Sequence, residues 1–113
     1  MNIQIFGKSK CFDTKKAQRY FKERSVKFQF IDLSQKSLSK GELQSVKAAV
    51  GSLEALIDYD GKAAEKHFVK YLASKEAVEE KLLEHGEIFK TPIVRNGKQA
   101  TVGYCPDVWK TWE

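Results

Sequence analysis

The chain has 113 residues, 42% hydrophobic and 31% charged, a balance that suits one folded globular domain over residues 1–113 and excludes a disordered chain. No apolar run is long enough to span a bilayer, and the alternating segment Met1–Phe6 does not read as an export signal, so the expected compartment is the cytoplasm, where thiols stay reduced. The net charge of +5 comes mainly from lysines interleaved with acids, the pattern of a solvated surface rather than of a direct nucleic-acid interface.

Asn2 to Phe6 alternates, with Ile3 and Ile5 apolar, and breaks at Gly7: a strand followed by a turn. From Cys11 to Glu23 the spacing becomes helical, with Ala17, Tyr20 and Phe21 on one face and charged residues on the others. Lys27 to Leu33 returns to the strand period, Phe28 and Phe30 on one side and Gln29 and Ile31 on the other. Strand, helix, strand in this order predicts a parallel pair with a right-handed crossover. Ser39 and Glu42 form a capping-box pattern that opens a helix to about Val50, and Gly51 closes it. Ser52 to Glu54 starts a short turn or helix, and Asp60-Gly61 is a turn. Helical spacing then covers Ala63–Ala73 and Ser74–His85, with Ser74 as a cap and Gly86 as the stop. Thr91 to Arg95 and Gln99 to Gly103 read as a hairpin around Asn96-Gly97, because both of those residues accept positive φ. Pro106 opens a last helix that carries Val108, Trp109 and Trp112.

The chemistry-bearing residues gather around one cysteine. Cys11 stands where a strand and a short loop feed the first helix, so free backbone N–H groups and the positive end of the helix dipole converge there. Lys8, Lys10, Lys15 and Lys16 add positive potential, and both effects favour the nucleophilic thiolate. Asp13 opposes them if it faces the sulfur. Thr14, three residues on, makes this a monothiol site and can donate its hydroxyl to the sulfur; a surface threonine is the competing reading. Thr91-Pro92 reads either as a proline facing the cysteine or as an ordinary edge-strand proline. Gly7-Lys8-Ser9 lacks the first glycine of a phosphate loop. A phosphatase-type loop would need an arginine where Ala17 stands. No cysteine and histidine set has zinc spacing, so no metal is expected, and His67 and His85 read as surface or half-buried helix residues.

Ile5-Phe6-Gly7, Lys10-Cys11, Asp13 to Ala17, Thr91 to Val94 and Val102 to Pro106 together resemble the arsenate reductase family, which includes the Spx transcription regulators. The likeness is greatest to its small members with a single N-terminal cysteine. The resemblance implies an α/β, thioredoxin-like fold: a mixed four-stranded sheet with a helical insertion, about residues 39–86, between a β-α-β half and a β-β-α half. It implies Cys11 as catalytic nucleophile; around it Lys8, Lys10, Thr14, Lys15, Thr91 and Pro92 are the residues expected to stabilise the thiolate or the substrate, with Thr91 and Pro92 shaping the groove. It also implies a thiol-linked reduction with no bound cofactor, in which glutathione or glutaredoxin supplies electrons and a small thiol or anion is the substrate. Three oxyanion-binding arginines of the family align with the stretch Leu56-Ile57-Asp58, with Thr91 and with Cys105, which disfavours efficient arsenate reduction. Cys105 in that third place is a candidate resolving thiol for a reversible disulfide with Cys11. The alternative is a regulatory module that binds RNA polymerase or another protein, as the Spx branch does. Gly51 matches a glycine that those regulators use for that contact, and a helix cap explains it equally.

Overall fold

The computed structural model describes residues 1–112. Strand β1 (Ile3–Gly7) leads into helix α1 (Phe12–Glu23), which returns to strand β2 (Phe28–Asp32). Helices α2 (Lys40–Val50), α3 (Lys62–Lys66) and α4 (Lys75–Glu84) follow, then strands β3 (Ile93–Asn96) and β4 (Gln99–Val102) and the short helix α5 (Pro106–Trp109). The sheet order is β2-β1-β3-β4. β1 pairs parallel to β2 and antiparallel to β3, and β3 pairs antiparallel to β4. This is the mixed four-stranded sheet that the family resemblance implied, and it contains the parallel pair and the hairpin expected from the order of elements.

The period of two explains how the sheet divides its side chains. Ile3 and Ile5 of β1 and Val94 of β3 join Ala17, Tyr20 and Phe21 of α1 and Trp109 of α5 in one buried cluster. Phe6 of β1 and Ile93 of β3 point the other way, into a larger cluster with Leu43, Val46, Leu56, Leu82 and Phe89. The sheet is therefore covered on both faces, by α1 and α5 on one side and by the 40–89 region on the other. Each large side chain that is fully buried contributes about 1.5–3 kcal/mol. Trp109 is completely buried, and its indole N–H donates to the Thr101 hydroxyl of β4 at 2.8 Å. Polar Gln4 shares the face of Phe6 and is paired there: its side-chain oxygen accepts from Arg95 at 2.7 Å.

The caps follow the sequence closely. Ser39 and Glu42 exchange both capping-box hydrogen bonds, Ser74 accepts from the Ala77 N–H, and Gly51 ends α2 at φ 100°. Three expectations need correction. Residues 63–73 are not one helix: α3 stops at Lys66, Phe68 takes φ 55°, and a 3-10 turn covers Val69–Tyr71. The break turns Val69 into the core and leaves Phe68 exposed, a tertiary preference that outweighs helix propensity. Gly86 is not a left-handed stop. It begins a 3-10 turn (Gly86–Ile88) and is buried against Leu33, whose carbonyl would lie 2.8 Å from an added Cβ. In the hairpin Asn96 stays in β3, opposite Gln99, and only Gly97 has positive φ, at 61°. That is a two-residue loop with glycine at its first position, as in a type II′ turn.

Candidate functional site

Cys11 is the N-cap residue of α1, in extended conformation and half-buried. The loop before it is closed by the Cys11 N–H donating to the Lys8 carbonyl at 3.0 Å. The residue that makes this geometry possible is Gly7. A Cβ there would lie 2.4 Å from the methyl and 2.7 Å from the hydroxyl of Thr14. With no side chain at residue 7, Thr14 packs fully buried under the loop, close to the sulfur.

The thiol faces the chain just before β3. Its S–H donates to the Thr91 carbonyl at 3.6 Å, and the Thr91–Pro92 bond is cis. The two halves of the fold thus meet at the sulfur. A second stitch holds them: Ile57 and Phe89 form an isolated antiparallel bridge, with Lys90 N–H donating to Leu56 at 2.8 Å and Asp58 N–H to Ile88 at 3.0 Å. This places Asp58 and Lys90 beside Cys11, and a shallow open cleft of about 590 Å³ is lined by Cys11, Asp13, Ala55, Asp58, Lys90, Thr91, Val102 and Gly103.

Partial burial by itself raises the Cys11 pKa, since it penalises the thiolate. Hydrogen bonding outweighs it. The side chains of Thr14 and Thr91 and the backbone N–H groups of Thr14 and Asp13 favour the charged sulfur, and the net shift is downward from the ordinary thiol value. The Thr91 carbonyl serves the neutral thiol, whereas the hydroxyls and N–H groups serve the thiolate. The second set is larger.

The groups that lower the thiol are therefore hydroxyls and backbone N–H groups rather than the lysines. Lys8 turns its ammonium to the Glu87 and Phe89 carbonyls, at 2.6 and 3.4 Å. Lys15 lies 5.7 Å from the centre of the Phe12 ring and Lys16 5.6 Å from that of Tyr104. Lys10 is exposed. Pro92 is buried, and its carbonyl accepts from Gly103 N–H at 2.8 Å. Cys105 is a free thiol that donates to the Val102 carbonyl at 3.3 Å. Burial pushes its pKa up, with a further upward push from the Asp13 carboxylate. Lys90 is the cleft residue that sequence reading missed. Its position directly before Thr91-Pro92 was the available signal.

None of the chain's three arginines lines this cleft. Arg95 is committed to Gln4 and Ser45, while Arg19 and Arg24 line a separate groove along α1. The charged residues of the cleft are Asp13, Asp58 and Lys90.

Comparison with known proteins agrees with this architecture. The chain is 29% identical over 112 residues to the global transcriptional regulator Spx 2 of Oceanobacillus iheyensis, covering 95% of this chain and 80% of that protein. Among solved structures it superposes on an arsenate reductase from Vibrio cholerae with a TM-score of 0.83, at 21% identity over 96% of this chain and 94% of the other. An arsenate reductase related protein from Brucella melitensis gives a TM-score of 0.67 at 21% identity, over 99% and 94% of the two chains. These structural likenesses show the thioredoxin-like, mixed α/β fold. The pattern that defines the ArsC family matches residues 6–112, nearly the full length that carries the cleft, and the chain belongs to that family.

Proposed function

We propose that this protein is a thiol-dependent reductase in which Cys11 is the nucleophile. The observation that carries the reading is the Cys11 environment: a half-exposed thiol, lowered by Thr14, Thr91 and two backbone N–H groups, at the rim of an open cleft. In the proposed step the Cys11 thiolate attacks one sulfur of an oxidised, thiol-linked substrate. A mixed disulfide forms, the second sulfur leaves as a thiolate, and another thiol then attacks the mixed disulfide to regenerate Cys11.

The substrate class follows from charge. A doubly charged oxyanion such as arsenate needs bidentate cationic partners. The cleft offers Asp13 and Asp58 against one Lys90, and the positions aligned with the family's arginines are the stretch Leu56-Ile57-Asp58, Thr91 and Cys105. A neutral or zwitterionic disulfide, such as one containing glutathione, fits this balance better. An external thiol, glutathione or glutaredoxin, is the favoured resolving partner. Cys105 holds its proton against Val102 and is pushed toward the neutral, unreactive form. Incubation with mixed glutathione disulfides and a thiol donor tests the reading. Turnover should be lost in Cys11→Ser and kept in Cys105→Ser; turnover that survives Cys11→Ser excludes the mechanism.

A second reading has its own support. The likeness to an Spx regulator covers most of this chain, and Gly51, the residue matched to the regulators' polymerase contact, is exposed with open space around its Cα. Under that reading the protein docks on RNA polymerase, and Cys11 acts as a sensor. Gly51 also caps α2, its N–H donating to the Lys47 carbonyl at 2.8 Å, so the docking role is not required to explain it. Direct binding of the purified protein to polymerase, reduced by Gly51→Arg, is the outcome this reading requires.

A further inference from the structure

The break after α3 has a chemical consequence. It puts His67, the C-cap residue of α3, against His85, the C-cap residue of α4. Their imidazole rings stack with centroids 3.7 Å apart and planes 15° from parallel. Glu87, from the turn that follows α4, reaches the same point. Its Oε1 lies 4.0 Å from His67 Nε2 and 3.8 Å from His85 Nδ1. Three donor atoms, one from each residue, fall within 4.8 Å of one another, and all three residues are half-buried.

Two features suit a cation here better than an accidental contact would. The outer nitrogen of His85, Nε2, lies 3.7 Å from a Glu84 carboxylate oxygen. A carboxylate behind the distal nitrogen, once drawn in to hydrogen-bond distance, is the partner that orients a metal-bound imidazole. The turn that carries Glu87 is also anchored: Lys8, from the loop before Cys11, donates to the Glu87 and Phe89 carbonyls.

We propose that His67, His85 and Glu87 form a binding site for a divalent transition-metal ion, best matched by zinc. Two imidazole nitrogens and one carboxylate oxygen make a donor set that zinc accepts, and water completes the tetrahedron. Ligands at zinc bond lengths lie roughly 3.3–3.6 Å apart, so the set contracts by roughly 1 Å at its widest. The nearly parallel rings must also rotate to aim both lone pairs at one point, which breaks the stack. Lys66 and Lys81 lie close enough to act on His67 and oppose the ion; Glu87 and Glu84 offset them.

The test is titration of the full-length Cys11→Ser/Cys105→Ser protein with zinc chloride against a chromophoric chelator, so that thiols do not compete. One ion should bind per chain, and His67→Gln, His85→Gln and Glu87→Gln should each weaken it by at least about tenfold. Cobalt(II) should give the visible absorption of a tetrahedral site. Nuclear magnetic resonance of the parent protein removes dependence on the variants: zinc should shift the His67 and His85 ring signals together. No saturable binding, binding unchanged in His67→Gln, or a response of one histidine without the other overturns the proposal.

Discussion

Thr14 shows how much chemistry one buried hydroxyl can direct. It is completely buried, it occupies the space that Gly7 vacates, and it is the first hydroxyl that favours the Cys11 thiolate. Thr14→Val keeps the shape and removes the donor. A hydrogen bond to a charged group is worth about 1.5–3 kcal/mol, so the apparent pKa of Cys11 should rise by about one to two units. The pH dependence of Cys11 alkylation, read peptide by peptide, measures this. The position of the cysteine and the proximity of Thr14 were legible in sequence because they are local: a strand, a glycine, a short loop and a helix start. The partners of Lys8 were not legible in the same way. Long flexible side chains choose partners from the whole fold, and Lys8 finds backbone carbonyls of residues 87 and 89.

At the scale of elements, α2 and α4 are held by a polar contact as well as by Leu43 and Leu82. Lys47 Nζ donates to a Glu79 carboxylate oxygen at 2.8 Å, and Gln44 donates to the other at 2.9 Å. The Lys47 hydrogen bond outweighs the upward push of burial and lowers the Glu79 pKa. A carboxylate lowered on folding contributes stability above its unfolded pKa, and that contribution disappears as pH falls through the folded value. Lys47→Ala should therefore cost stability near neutral pH, modestly because the pair is part-exposed, with the cost vanishing only once the pH falls below the lowered folded-state pKa of Glu79. Denaturant unfolding at the two pH values checks it. Gly86→Ala is a sharper perturbation. The new methyl would meet the Leu33 carbonyl and Ser37, and overpacking of this kind costs about 1–3 kcal/mol, visible as a lower urea midpoint with an unchanged slope. Caps and strands were legible because Ser39, Ser74, Asn96-Gly97 and Pro106 act over three or four residues. The α3 break and the true role of Gly86 were hidden, since both depend on what lies across the core.

The whole molecule brings residues 11, 13, 58, 90 and 91 to one cleft, and the order β-α-β, helices, β-β-α was enough to anticipate the sheet that does this. What sequence order could not supply is the second buried face of β1, where Phe6 and Ile93 meet the insertion, or the meeting of His67 with Glu87 across a broken helix. The reactivity assigned to Cys11 belongs to this assembled state, because Thr91 reaches the sulfur from 80 positions away. Alkylation rates against pH, followed separately for Cys11 and Cys105 in native buffer and in denaturing urea, test that claim most directly. The native protein should show Cys11 below the free-thiol value of about 8.5 and Cys105 above it, with the two converging once the chain unfolds. A native Cys11 that titrates at or above the free value, or that does not change on unfolding, would contradict an activated thiolate and leave the docking reading as the better account.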